Sequence, residues 1–216
     1  MENNCAFCDR SKFEERIISE TDDLYVIATL GQITDGGYVL VFPKRHVSCL
    51  GAMEELELAS LSTFLHTKIR PAFEKEYPQI TRMMFEHGIV GQTIKHAHLH
   101  IVPGEFHLSS RINKDFPAEL FKRTLLFMYT EKTSPLTDLG RLYKKRQEPY
   151  LLWKDKSTMF YNPMVCWNPP APPQYLRTIT AEALGRPERG NWRDMDPELD
   201  KNLWTETVQR LRHYFK

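Results

Sequence analysis

The sequence predicts an α+β fold, an antiparallel sheet of about five strands with one long helix, followed by a mixed C-terminal extension. Three observations carry this. Residues 54–76 place Leu58, Leu61, Leu65, Ile69 and Phe73 on one stripe at helical spacing, with Glu54, Glu55, Glu57 and Lys68 off it. Residues 96–102 alternate histidine with apolar residues at period two, the spacing of an extended strand. Tyr38-Val-Leu-Val-Phe42 is a continuous apolar run of the kind found in strands covered on both faces. One long helix among short strands argues against a doubly wound parallel sheet.

Taken in order, Arg16–Glu20 and Leu24–Ala28 are β-rich runs split by Thr21-Asp-Asp23 and read as a hairpin. Gly36-Gly37 opens the strand Tyr38–Phe42, which Pro43 ends, placing His46 just past a strand end, where ligands and catalytic groups gather. Glutamates crowd the first turns of the long helix, as its dipole favours, and Pro71 is expected to kink or divide it. Thr81–Glu86 reads as a strand, His87-Gly88 as a turn, and Thr93–Val102 as the central strand. Beyond Pro103-Gly104 a helix is expected from Asp115, burying Leu120, Thr124, Phe127 and Met128, with a linker at Thr130–Leu139. Tyr150–Trp153 and Met159–Tyr161 suggest a second hairpin. Asn168–Pro173 reads as polyproline-like, Gln174–Leu184 as a short helix, and Asp196-Pro197 as cap and first turn of a last helix with Leu199, Leu203, Val208, Leu211 and Phe215 inward. The division expected is 1–108 and 109–216, the second part packed on the first.

At 216 residues one or two domains are affordable, and 41% hydrophobic with 26% charged residues is an ordinary globular composition. A net charge of +1 leaves no electrostatic footprint for nucleic acid or a membrane surface, so neither partner is expected. No run approaches a transmembrane length, and Met1-Glu-Asn-Asn4 lacks the basic and apolar regions of a signal peptide, so a cytoplasmic protein is expected. Four cysteines do not make a disulfide framework; Cys49 and Cys166 read as small core residues.

Two constellations carry chemistry. Cys5-Ala-Phe-Cys8 is half of a zinc site or a redox pair; too few residues precede it for the strand that a thioredoxin-like pair requires, and a zinc site needs two further ligands. His96, His98 and His100 share one face of an extended strand, with Ala97, Leu99 and Ile101 on the other. Imidazoles in such a row grip a metal or handle protons and phosphoryl groups near neutral pH.

The motif His96-Ala-His98-Leu-His100-Ile-Val102 resembles the histidine triad signature, His-φ-His-φ-His-φ-φ with φ apolar. Cys5-x-x-Cys8, the strand ending in Pro-Lys-Arg-His46, the long helix and Gly91-Gln92-Thr93 agree with it in order and spacing over about residues 4–107. The Gly-Gln-Thr start is more like the fragile-histidine-triad and bacterial diadenosine-polyphosphate hydrolase branches than the branch with serine. The resemblance implies a histidine-triad-like fold and hydrolysis or transfer at the α-phosphate of dinucleoside polyphosphates or other nucleotidyl conjugates. It assigns His98 as nucleophile forming a nucleotidyl-histidine, the His96 carbonyl as acceptor of the nucleophile's other proton, His100 as donor to a phosphate oxygen or the leaving group, and Gln92 and Thr93 as phosphate-steadying groups. It also implies a structural zinc on Cys5, Cys8, His46 and His96; the alternative is a metal-free site in which His46 only hydrogen-bonds a triad histidine. Many members carry a carboxylate or amide after the second strand for the ribose; here Ile27-Ala-Thr29-Leu-Gly31 offers only Thr29. Glu86 and His87 are candidates for the phosphate or leaving-group side, His87 equally for a turn, and His66 and His107 for the surface. A homodimer is implied by resemblance alone. Gln174-Tyr-Leu-Arg177 and Asn191-Trp-Arg193 resemble extensions of some microbial members. A nucleotidyltransferase with the same intermediate and a non-catalytic nucleotide- or zinc-binding module are the other readings.

Overall fold

The computed structural model describes residues 5–78, 82–126, 134–156 and 162–216. An antiparallel sheet with the order β1-β2-β3-β5-β4-β7-β8-β6 runs through them. Its first five strands are β1 (Ile17–Glu20), β2 (Leu24–Ala28), β3 (Val39–Pro43), β4 (Arg82–Gly88) and β5 (Leu99–Pro103). The remaining three, β6 (Arg123–Leu125), β7 (Tyr150–Lys154) and β8 (Met164–Trp167), come from the C-terminal half, so the sheet has eight strands rather than about five. β7 pairs with β4 from Met84↔Lys154 to Gly88↔Tyr150. That pairing satisfies the backbone groups β4 would otherwise present as an open edge.

Alternation along the strands builds two cores. Val39, Val41, Ala97, Leu99, Ile101, Tyr150 and Leu152 enter one. Tyr38, Leu40, Phe42, Phe85, Val102, Leu151 and Trp153 enter the other. The first is covered by α1 (Glu55–Phe64), α4 (Pro135–Arg146) and α6 (Pro197–Arg212), the second by α3 (Ser109–Asp115) and α5 (Tyr175–Ala183). Cys49 and Cys166 are buried, as expected of core residues.

The long helix is interrupted: α1 passes through a π turn at Leu65–Ile69 into α2 (Arg70–Glu76). Pro71 has no N–H to give the carbonyl four residues back, and the helix widens there instead of breaking.

The C-terminal half departs most from expectation. The helix foreseen from Asp115 is replaced by α3 before it and β6 after it, because Pro117 disfavours helix at Phe116 and Thr124 pairs with Val165. Phe127 and Met128 lie outside the described residues. The foreseen linker is instead the start of α4, capped reciprocally by Ser134, which accepts from the Thr137 N–H at 3.2 Å, and Thr137, which accepts from the Ser134 N–H at 2.8 Å. Residues 130–133 of that linker are not described. β7 pairs with β8, and Met159–Tyr161 lie outside the described residues. In α6, Leu203, Val208 and Leu211 turn inward and Leu199 is exposed. Among the described residues no helix is long and apolar enough to cross a membrane.

Candidate active site

The expected strand from Thr93 shortens to β5, which begins at Leu99. Residues 93–98 approach it irregularly, held where the His96 N–H donates to the Ile94 carbonyl at 2.8 Å and the Ala97 N–H to the Val47 carbonyl at 2.7 Å. The period-two alternation survives: Ala97, Leu99 and Ile101 lie in the α1 core, and the three histidine rings lie on the opposite face. Register sets His100 between Leu40 of β3 and Phe85 of β4, on whose ring it stacks at 4.3 Å.

His98 Nδ1–H donates to the His96 carbonyl at 2.5 Å. Nε2 therefore carries the lone pair, and the ring lines a cleft of about 590 Å³ including its mouth. Burial lowers its pKa to about 4, ahead of the opposing hydrogen bond, so the imidazole is neutral at pH 7. A neutral imidazole with a fixed Nδ1–H and an open Nε2 is a competent nucleophile.

His100 Nδ1 lies 2.6 Å from the Tyr38 hydroxyl. Burial pushes the Tyr38 phenol up to about 12, against the charge of Arg177, so the hydroxyl keeps its proton. Given to Nδ1, that proton leaves His100 with an Nε2–H. That nitrogen is buried and has no hydrogen-bond partner among the described residues, which is the arrangement of a donor waiting for a ligand oxygen. Burial, followed by the charges of His98, His87 and Arg177, holds His100 well below its ordinary pKa.

Cys5, Cys8, His46 and His96 converge, their ligand atoms all within 4.8 Å of one another. His96 Nε2–H donates to the Pro43 carbonyl at 2.8 Å, which turns Nδ1 toward Cys5 Sγ at 3.5 Å and Cys8 Sγ at 3.6 Å. Cys8 Sγ is 3.3 Å from His46 Nδ1. These four could hold a metal ion. His96 thus serves the cluster with its ring and His98 with its carbonyl.

Gln92, Thr93 and Thr29 line the same cleft. Gln92 gives its amide N–H to the Ser48 carbonyl at 2.9 Å, leaving its amide oxygen uncommitted, and Thr29 gives its hydroxyl to the Leu30 carbonyl at 3.1 Å. His87 is no turn residue: it is buried, lines the cleft, and its Nε2 accepts from the Leu176 N–H at 3.0 Å. Burial lowers its pKa to about 3. Glu86 faces away from the cleft, contrary to expectation, because neighbours on a strand alternate. It accepts from the Leu50 N–H at 2.7 Å and the Tyr150 hydroxyl at 2.6 Å. His66 and His107 are exposed, as expected.

Sequence reasoning missed Tyr38, Arg16 and Arg177 as cleft-side groups. Tyr38 was within reach, since Leu40 and Phe42 share its period-two face. Arg177 arrives from α5, distant in sequence, and no local pattern points to it.

A protein-family model, HIT domain, matches residues 10–107. Solved structures with a similar chain include a HIT family protein from Bacillus anthracis, 23% identical over 48% of this chain and 75% of that one, with a TM-score of 0.43. A Hit-like protein involved in cell-cycle regulation from Bartonella henselae is 27% identical over 48% of this chain and 78% of that one, TM-score 0.41. A member of the HIT family from Bacillus subtilis is 19% identical over 67% of this chain and 97% of that one, TM-score 0.40. The triad with its ordered strand and the family match agree over one segment: residues 10–107 of this chain match the HIT domain.

Proposed function

We propose that this protein hydrolyses nucleotidyl conjugates, dinucleoside polyphosphates among them, at the α-phosphate through a covalent intermediate on His98. The observation that carries the reading is the His98 Nδ1–H donated to the His96 carbonyl, with Nε2 open to the cleft. Nε2 attacks phosphorus; the P–N bond forms as the bond to the leaving group breaks, and the leaving group departs with the electron pair. His100 Nε2–H donates to a phosphate oxygen or to the departing atom, and Gln92 and Thr93 steady the remaining oxygens. Water then attacks the same phosphorus, loses a proton to solvent, and the P–N bond breaks to return His98 to its starting state.

The Cys5, Cys8, His46 and His96 cluster is proposed to hold zinc. A tetrahedral ion with Zn–S near 2.3 Å and Zn–N near 2.05 Å separates sulfur from nitrogen by about 3.5 Å, close to the 3.3–3.6 Å separations here. Two sulfurs and two nitrogens close a structural site. When bound, the ion would add rigidity to the segment that carries the His98 acceptor.

The test is incubation with a dinucleoside polyphosphate, quenching in alkali, and peptide mass spectrometry. A nucleoside monophosphate on the peptide holding His98, absent from His98→Ala, is expected together with nucleotide release. Absence of both from the wild type across adenylated and guanylated conjugates overturns the proposal. Product analysis with a phosphate or sugar-phosphate acceptor separates hydrolysis from transfer.

A further inference from the structure

The segment beyond the HIT-domain match contributes to the cleft itself. Arg177 of α5 and Trp192 line it beside His98 and His100, as does Arg16 ahead of β1. Among the described residues no aspartate or glutamate lines it. Arg177 is 3% exposed and forms no ion pair among the described residues; its partners are carbonyls, Gly190 at 2.9 Å from Nε, and Arg189 at 3.0 Å and Gly31 from Nη2. Its guanidinium stands 5.5 Å from the Tyr38 ring centre. The acids that touch the residues it grips are engaged with other groups. Asp35 pairs with Arg186 and Arg189. Asp200 accepts from the Gly31 and Gln32 N–H groups at 2.8 and 3.0 Å and offsets the charge of Arg16.

Three neutral carbonyls orient a guanidinium but leave its full positive charge. Burying such a charge without a counter-ion is costly unless an anion completes the site. The two Nη1–H groups are not taken by these carbonyls, and a guanidinium held in one orientation is well suited to phosphate oxygens.

We propose that the C-terminal half completes the cleft as a second anion subsite, in which Arg177, aided by Arg16, holds a phosphate next to the one that His98 attacks. The ligand class is a nucleotide accompanied by a further phosphate, attached at the α-phosphorus or bound separately as an acceptor. This rests on the nucleotidyl-His98 reading. It makes the distal half part of substrate selection, and it disfavours conjugates whose leaving group is neutral.

The test is calorimetric binding of AMP, ADP, and AMP with added inorganic phosphate to the full-length His98→Ala protein, which holds ligands without turning them over. ADP is expected to bind at least tenfold tighter than AMP. Adding Arg177→Gln should erase that preference while moving AMP less than threefold, and Arg177→Lys should retain part of it, because lysine keeps the charge and loses the fixed orientation. Phosphate that tightens AMP binding only when Arg177 is present identifies the separate acceptor as the source; a preference for ADP alone identifies the attached group. Equal binding of AMP and ADP together with no effect of added phosphate on AMP, or equal loss of both nucleotides in Arg177→Gln and Arg177→Lys, overturns the subsite and leaves Arg177 as a clamp on the 189–190 loop. Binding of no nucleotide by either His98→Ala or wild type overturns the nucleotide reading itself, and the subsite with it.

Discussion

Glu86→Gln tests how the active strand is supported. Glu86 is fully buried, has no cation beside it, and ties β4 to Leu50 and Tyr150. Leu50 closes the loop that carries His46 and the Ser48 carbonyl, the acceptor for Gln92. Burial raises the carboxyl from 4.5 to about 7, outweighing the two hydrogen bonds. At about 1.4 kcal/mol per pH unit, the folded chain holds this proton more tightly than the unfolded chain by about 3 kcal/mol. Below pH 4.5 both states are protonated and the full contribution is present. Between 4.5 and 7 the unfolded chain has released its proton and the folded chain has not, so stability falls as pH rises; above 7 the loss is complete. Glutamine holds the neutral form at every pH. The wild type should therefore lose about 2–3 kcal/mol relative to Glu86→Gln between about pH 5 and 8, measured by urea unfolding followed through tryptophan fluorescence. The titrating histidines are common to both proteins and cancel in the difference. A gap that stays constant across this window refutes the reasoning.

Tyr38→Phe removes the partner of His100 Nδ1. It is expected to cost about 1–3 kcal/mol of stability, and to lower turnover by about 10²-fold by freeing the tautomer; nitrogen NMR of the imidazole should show the Nε2–H population falling. Gly31→Ala forces a side chain onto φ +68° and sets its Cβ 2.5 Å from Trp192 Cβ and 2.7 Å from Trp192 Cα, atoms that no rotamer change can move. Urea unfolding should show a loss of about 2–4 kcal/mol. Elemental analysis should find one zinc per chain. Chelation or Cys8→Ser should remove it and lower the Tm by at least about 5 °C, because metal binding adds to folding free energy; an unchanged Tm with no metal in the wild type would leave Cys5 and Cys8 without a metal role.

What could be read in advance had a local cause. The alternation of His96–Val102 fixes which side chains share a face whatever lies beside the strand, and it survived even where residues 93–98 left regular strand geometry. The stripe from Leu58 to Phe73 marked the helix, and Pro71 marked its irregularity, because both are set within a few residues. In the C-terminal half, the cap at Ser134-Pro135 was equally local and was overlooked. The strands β6 and β8 were less accessible, since their short apolar runs become strands only through pairing.

The sequence by itself determined the strand face of the triad and brought Cys5, Cys8, His46 and His96 under consideration together. Tertiary structure alone decided that Glu86 turns from the cleft, that Tyr38 holds His100, and that Arg177 reaches the cleft from 146 positions beyond Gly31, whose carbonyl it grips. The physical reason is that face selection follows from bond geometry along the chain, whereas these contacts depend on how the sheet is extended through β7 and on which loops that extension carries to the active face.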